Sequence, residues 1–370
     1  MYESDNRVVL TLDAGGTNFV FSAIRAYGSI VEPVHRKAVA DDALECLKCI
    51  TEGFREVVAR LPEGMTPVAI SFAFPGPADY EAGVLGDLPN FPGFRGGVAM
   101  AAYLEDEFSI PVFINNDGNL FAYGEALAGT LPRINAALAE AGSPARYRNL
   151  LGITLGTGFG AGVVIDGRLL SGDNGCGGDV WLMRNTKYPD MIAEEGVSVR
   201  AVRRVYQELS GRNSDDLSPK DIFDIAEGVK DGDRKAAEGS FRELGRTAAD
   251  AVANALNIVD GIVAVGGGVA GASKYILPAM VERLGSTLST FAGGSFPCTQ
   301  MKVYNLEDTA QMGEFLRDGT RTVGVQGKDL SVRYRKVKKT GVAVSRLGAS
   351  GAIFHGAYAF ALSQLDAKAK

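Results

Sequence analysis

Apolar, β-branched runs broken by glycine pairs set the first pattern along the chain. The segment "RVVLTLDAGGTNFVFSAIRA" predicts a strand, a tight Gly-Gly turn and a second strand, and "NLLGITLGTGFGAGVVIDGRLL" repeats that plan about 140 residues later. Between them, apolar residues at helical spacing in "DDALECLKCITEGFREVVARL" predict a helix. It is followed by a strand "PVAISFAF" ending in the turn "PGPADY", a loop "DLPNFPGFRGG", a helix "VAMAAYLEDEF", a strand "PVFINND" and a helix "NLFAYGEALAG". This alternation predicts an α/β protein. Beyond the second hairpin the pattern becomes mostly helical: "SVRAVRRVYQEL", "PKDIFDIAEGV" and a long helix from about Asp233 to Ile258, then a short strand "GIVAVGGGV" and another helix. The tract from about Cys298 to Thr340 is polar without a strong period and reads as an irregular elaborating insertion. The last helix, "GASGAIFHGAYAFALSQL", is apolar enough to dock on a domain.

Composition narrows the class. A chain of 370 residues, 46% hydrophobic and 22% charged, is ordinary globular material with room for two domains or one bilobal unit. No apolar run approaches the roughly 20 residues that span a membrane. The N-terminus "MYESDNR" lacks an apolar signal core, so the expected location is the cytoplasm. A net charge of −6 offers no general attraction to nucleic acid or acidic membranes. The exception is "RYRKVKK", Arg333 to Lys339, read either as a solvated face or as a patch for an anion or partner. The cysteines, Cys46, Cys49, Cys176 and Cys298, are too sparse for a disulfide scaffold. Cys46 and Cys49 form a C-x-x-C on the apolar face of a predicted helix, which favours core packing over redox or metal work. His35 and His355 are the only histidines, and neither is near a cysteine in sequence, which argues against a structural zinc site.

Three glycine clusters carry candidate chemistry. A turn of consecutive glycines between strands presents backbone N–H groups to an anion without a Cβ in the way, and a nearby Thr hydroxyl adds a donor. Two such hairpins in one chain suit a polyphosphate held from both sides. Neither hairpin leads into a helix, which excludes a Walker loop and a dinucleotide fingerprint. Asp13, at the end of the first strand, would face phosphate unfavourably unless a hydrated Mg²⁺ lies between them. The third cluster, "AVGGGVAG", follows a strand and opens a helix, and it is read either as a seat for a flat nucleoside or as a tight connection. In "VFINNDGNL", Asp117 stands at the C-terminal end of a strand before a helix, where α/β folds place reactive groups, or where an Asp caps the helix. Asn115, Asn116 and Asn119 crowd the same turn with side chains suited to hydroxyl-rich ligands.

"LDAGGTNF", "NND", "LGTGFGAG" and "VGGGV", in this order and spacing, resemble the ROK family of repressors, open reading frames and sugar kinases. The resemblance runs from Val8 to about Gly285 and returns in "LGASGAIFHGAYAFAL". It implies a two-lobed, actin-like, ribonuclease H-like fold with the active-site cleft between the lobes and ATP bound there. A small N-terminal lobe of residues 1–125 is expected, joined by the C-terminal helix at about 347–365. A large lobe of 126–346 is expected to carry the insertion near 298–340. By resemblance, Asp13, Gly15, Gly16 and Thr17 match the first phosphate loop, Asp13 reaching Mg²⁺ through water, and Gly156, Thr157, Gly158 and Gly160 match the second. Gly266, Gly267 and Gly268 match the glycines beside the adenosine, Asp117 matches the catalytic base, and Asn116 and Asn90 match sugar-contacting asparagines.

The resemblance breaks at "GDNGCGGDVWLM". The family pattern is G-x-x-G-x-x-G-E-x-G-H, followed by a cysteine-rich zinc module and then a Glu shortly before a Ser. Gly172, Gly175 and Gly178 keep the glycine spacing, but Asp179 stands for Glu, Trp181 for Gly and Leu182 for His, and no zinc cysteines follow. No zinc is therefore expected. Asp179 keeps a carboxylate with a shorter reach, whereas Leu182 removes a polar group facing the sugar. Trp181 is read either as stacking on a sugar face or as a plug in the space the zinc module would fill, with Leu182 beside it as packing and Cys176 as small filler. Glu194, four residues before Ser198, matches the downstream sugar-binding Glu, with Glu195 as a rival by one register.

The function implied is ATP-dependent phosphorylation of a hexose-type sugar, at O6, with Asp117 as general base. The alternative is a non-catalytic sugar or nucleotide sensor of the same fold, motivated by the altered sugar loop. The seven residues ahead of the first strand leave no room for the helix-turn-helix that family repressors carry there, so DNA is not an expected partner. A homodimer is the usual assembly in such families.

Overall fold

The computed structural model describes residues 1–14, 18–76, 78–86 and 91–369. Gly15, Gly16, Thr17 and Asn90 of the expected site lie outside the described residues. The chain divides into two compact units: Met1–Gly129, Gly162–Gly178 and Leu347–Lys370 form the first, and Thr130–Ala161 and Asp179–Arg346 the second.

The first unit opens with strands β1 (Val8–Ala14), β2 (Asn18–Arg25), β3 (Gly28–Ser29) and β4 (Val34–Lys37), then helix α1 (Ala43–Ala59) and strand β5 (Pro67–Ala73). Short strands β6 (Ala78–Asp79), β7 (Val84–Leu85) and β8 (Val98–Ala99) form a small separate sheet before α2 (Met100–Phe108), β9 (Val112–Asn115) and α3 (Asp117–Leu127). The main sheet runs β3-β2-β1-β5-β9, with β4 also on β2. β1 and β2 are antiparallel, Asp13 opposite Val20 and Ala14 opposite Phe19, whereas β5 and β9 join parallel. Successive β1 side chains point to opposite faces of the sheet. Leu10 and Leu12 enter a core with Ile50, Phe54 and Val57 of α1 and Leu104 of α2. Val9 enters a second core with Tyr358, Ala361 and Leu362 of the C-terminal helix. That helix therefore closes the second face, against both the sheet and α3. Cys46 is buried in the α1 core. Cys49 is half-buried, its thiol on the Lys37 carbonyl at 3.7 Å.

The second unit holds α4 (Thr130–Glu140), β10 (Leu150–Leu155), β11 (Phe159–Ile165), β12 (Arg168–Leu169), α5 (Val199–Ser210), α6 (Pro219–Ala226), α7 (Arg234–Val259), β13 (Ile262–Gly266) and α8 (Ser273–Leu284); β11 ends and β12 lies in the segment assigned to the first unit. Then come β14 (Thr287–Ser289), β15 (Ser295–Pro297), β16 (Lys302–Asn305), α9 (Thr309–Leu316), β17 (Thr320–Gly324), β18 (Ser331–Arg335) and β19 (Lys339–Val344), before α10 (Gly348–Lys368) returns to the first unit. The sheet order is β12-β11-β10-β13-β19-β16, with β13, β19 and β16 successively parallel. Side-chain caps start the helices: Ser218 and Asp221 make a reciprocal capping box on α6, and Asp233 accepts from the Ala236 N–H at 3.0 Å on α7. No helix among the described residues is long and apolar enough to cross a membrane.

Two expectations are corrected here. The tract 298–340 is not irregular: β16 lies within it and β19 begins there, and both are strands of the second unit's six-stranded sheet, with α9 packed on them. β16 is only four residues long, too short for its alternation to stand out in the sequence. Only the β17–β18 hairpin, exposed along almost its whole length, behaves as an elaboration. The second correction concerns Gly162–Gly178, expected in the large lobe and found with the first unit. Gly162 lies so close to α3 that a Cβ there would meet the Gly118 carbonyl at 2.6 Å.

Candidate active site

In the first unit, strand register sets the positions of the acidic residues. Asp13 pairs with Ala73, and Ala73 with Asn115, so the ends of β1, β5 and β9 form one edge. With strands about 4.8 Å apart, the backbones of Asp13 and Asn115 are roughly 10 Å apart. The Asn116 side chain caps α3, its Oδ1 accepting from the Gly118 N–H at 2.8 Å. Asp117 is the first helical residue rather than the cap, and its Oδ1 also accepts from the Gly118 N–H at 2.8 Å. By area Asp117 is exposed, yet it is closely surrounded by protein beyond its own solvent-facing edge. That crowding weakens solvation of its charge and pushes its pKa up. The Gly118 N–H opposes the shift, and the Asp13 carboxylate adds to it.

The three asparagines divide. Asn115 and Asn119 are buried, and Asn115 Oδ1 accepts from Asn119 Nδ2 at 3.0 Å and from the Asn116 N–H at 2.8 Å. They build the turn, and only Asn116 keeps the partial exposure that a ligand needs. Asn116 Nδ2 reaches Tyr80 Oη at 3.5 Å, and Tyr80 donates to the Phe74 carbonyl at 2.9 Å. Asp13 accepts from Ser350 Oγ at 2.6 Å. Neither Tyr80 nor Ser350 has a motif of its own, and Ser350 stands 337 residues from its partner, so only the docking of α10 reveals it.

In the second unit, β10 and β13 are parallel with Thr154 opposite Gly266, which places the Gly156–Gly160 turn beside Gly266–Gly268. No described atom lies within 4 Å of a Cβ built on Gly156 or Gly268, so the space above both glycines is open. The Gly156 N–H is taken by the Gly158 carbonyl at 3.0 Å, and the Phe159 N–H by Glu194 Oε2 at 3.0 Å. Among the described residues, no protein acceptor takes the Thr157 or Gly158 N–H. The turn is strapped to the start of α5: the Val199 N–H donates to the Gly156 carbonyl at 2.9 Å, and Arg200 pairs with Glu194 and Glu195, each at 3.1 Å. Glu194 thus grips the Gly156–Gly160 turn, and Glu195 is its neighbour on Arg200.

Gly158 permits that grip, since a Cβ there would meet Glu194 Oε2 at 2.6 Å. Gly158→Ala is expected to displace the carboxylate, loosen the turn and raise the KM for ATP about tenfold, equivalent to roughly 1.4 kcal/mol. Steady-state kinetics at saturating sugar would check it, and an unchanged KM would refute the role given to Glu194.

In the loop of the family mismatch, Asp179 is exposed and precedes a 3₁₀ turn, Val180–Leu182. Val180 is buried at 2% exposure, and Trp181 beside it is half-buried. Leu182 is 52% exposed and Cys176 is exposed, so neither serves as packing. The short helical turn rotates successive side chains by roughly 120°, so Val180 and Leu182 face opposite environments.

A sequence model described as the ROK family matches residues 9–315. The crystal structure of a glucokinase from Parabacteroides distasonis is 54% identical, with a TM-score of 0.86, covering 98% of this chain and 99% of that one. A glucokinase of Thermotoga maritima is 27% identical over 296 residues, 75% of this chain and 86% of that protein. An N-acetyl-D-glucosamine kinase of Vibrio cholerae is 29% identical over 287 residues, 72% of this chain and 84% of that protein.

Proposed function

The chain belongs to the ROK family and is a sugar kinase with the actin-like ATPase fold, and from that premise we propose that it transfers the γ-phosphoryl group of ATP to O6 of a hexose, glucose foremost, with Asp117 as general base. The observation that carries this is Asp117 itself. A carboxylate at a strand end, fixed by one backbone N–H and raised in pKa by its surroundings, is suited to accept a hydroxyl proton. Asn116 beside it, Asn90 and Asp179 are the proposed sugar contacts, with Glu194 acting through the turn it holds.

ATP with Mg²⁺ supplies the phosphoryl group and neutralises its charge. The residues present fit both. The open space beside Gly156 and Gly268 and the Thr157 and Gly158 N–H groups support this reading. Gly15 to Thr17 are proposed as further phosphate contacts. Asp13 would hold hydrated Mg²⁺ through water, an ion that commonly takes one or two carboxylates plus phosphate oxygens.

ADP release from the purified protein over a panel of hexoses and N-acetylhexosamines is the test. Glucose-dependent release is expected to exceed the sugar-free rate by about 100-fold or more, the scale of general-base catalysis. Tight nucleotide binding with no sugar-dependent release across the panel would instead mark a sensor of the same fold. The altered loop motivates that reading: exposed Leu182 offers no hydrogen bond where family members carry His.

A further inference from the structure

The sequence run "RYRKVKK" has no place in the site above, and its structural setting is a cavity. Arg335, Lys338 and Lys339 of this run line a recess of about 430 Å³, together with Arg317 from the exit of α9 and Arg146 and Arg148 from the approach to β10. Six cations from three separate chain segments therefore converge, against two carboxylates, Asp260 and Asp318. Asp318 also pairs with Arg333 at 3.6 Å. A solvated run would spread its charges outward along one strand, whereas this arrangement concentrates them.

The walls are ordered. Tyr147 and Phe315 stack with ring centroids 5.6 Å apart, and Tyr147 donates to the Lys339 carbonyl at 2.6 Å. Lys339 Nζ is held on the carbonyls of Glu314 at 2.7 Å and Arg317 at 2.9 Å. Burial first, then the Lys302 and Arg317 charges, push the Lys339 ammonium below the usual lysine range, with Glu314 and Asp318 opposing.

Position separates this recess from the nucleotide glycines. Asn149 precedes β10, Asp260 precedes β13 and Lys339 opens β19, so the cavity lies at the N-terminal ends of three strands. Gly156 and Gly266–Gly268 lie at the C-terminal ends of β10 and β13, and β13 alone spans about 13 Å between the two edges.

We propose that this cavity binds a small polyanion of the phosphate class, a phosphate ester or an inorganic polyphosphate, as a second site in the kinase. Arginine forks match phosphate oxygens pairwise, and the volume suits a metabolite rather than a macromolecule. The inference does not depend on the identity of the sugar.

The test is calorimetry on the full chain with the nucleotide site saturated by AMPPNP, titrating inorganic pyrophosphate in one arm and fructose 1,6-bisphosphate in the other. Submillimolar binding in at least one arm, weakening with salt, is expected, and the preferred arm tells ester from polyphosphate. The R335E/K338E variant, changed only at exposed positions, is expected to lose at least tenfold in affinity while its AMPPNP affinity and melting temperature stay put. Should that variant fold poorly, Arg146→Ala and Arg335→Ala, each removing one charge, are expected to weaken binding severalfold. No binding of either probe by the unaltered chain, or equal affinity in the variants, overturns the proposal.

Discussion

Asp117→Asn is expected to lower kcat/KM for sugar phosphorylation by about 100-fold or more and, in the same protein, to raise the melting temperature at pH 7. The two effects have one cause. Asn keeps the Oδ1 that accepts from the Gly118 N–H, so the α3 start is preserved, but it can neither take a proton nor carry the charge that its surroundings penalise. The folded pKa of Asp117 is raised above its unfolded value. The folded state then binds the proton more tightly, so ionised Asp117 costs stability at pH above both values, and the cost vanishes below both. The stability gained by Asn should therefore be present at pH 7 and shrink as pH falls toward the ordinary Asp range near 4. Wild-type activity should fall on the acid side at a higher pH than an unperturbed carboxylate would give, because the base must be deprotonated to work. Thermal melts at two pH values and a pH–rate profile check both halves. An unchanged turnover in Asp117→Asn would remove Asp117 as the base, and a lower melting temperature would refute the desolvation argument.

Much of this site was legible in the sequence because its parts are local. The glycine turns between strands, and the Asn-Asn-Asp at a strand end, are short patterns whose residue types are dictated by backbone geometry. Their carry-over from the ROK resemblance matches positions that the strand register brings to sheet edges: Asp13 with Asn115 in one sheet, Gly156 with Gly266 in the other. What escaped depends on contacts between distant segments. Ser350 on Asp13 needs α10 to return to the first sheet. The engagement of Glu194 with the Phe159 N–H rests on a contact 35 residues away. In the loop around Trp181, composition alone predicted packing at Leu182 and Cys176, but both are exposed while Val180 is buried. The cations of the second cavity were visible only as a run, since Arg146, Arg148 and Arg317 join them only in three dimensions.

Gly356→Ala is expected to destabilise the protein by about 3 kcal/mol, at the upper end of the usual overpacking cost, although the same change in an open helix stabilises it. α3 and α10 pack through their backbones. A Cβ on Gly356 would run into the Leu120 carbonyl oxygen, and a Cβ on Gly124 into that of Ala352, so each helix supplies a glycine where the other presents a carbonyl. Ala gains up to about 1 kcal/mol over Gly in helix propensity. That gain is outweighed because a backbone oxygen, unlike a flexible side-chain end, can move only if the whole helix moves. Gly351→Ala in α10 is the internal control: its Cβ would meet only Leu347 Cβ at 3.7 Å, an ordinary contact, so propensity should prevail and stability should rise by about 0.5–1 kcal/mol. Urea midpoints would show opposite shifts for the two changes. The effect should reach the chemistry as well, since α3 begins at Asp117. A helix pushed outward at Leu120 displaces the carboxylate one turn away, and a misplacement of about 1 Å costs on the order of 100-fold in rate. Gly356→Ala should thus lose activity even under conditions where it remains folded. Full activity with intact stability would mean that the two helices can separate at this crossing without disturbing the turn that carries the base.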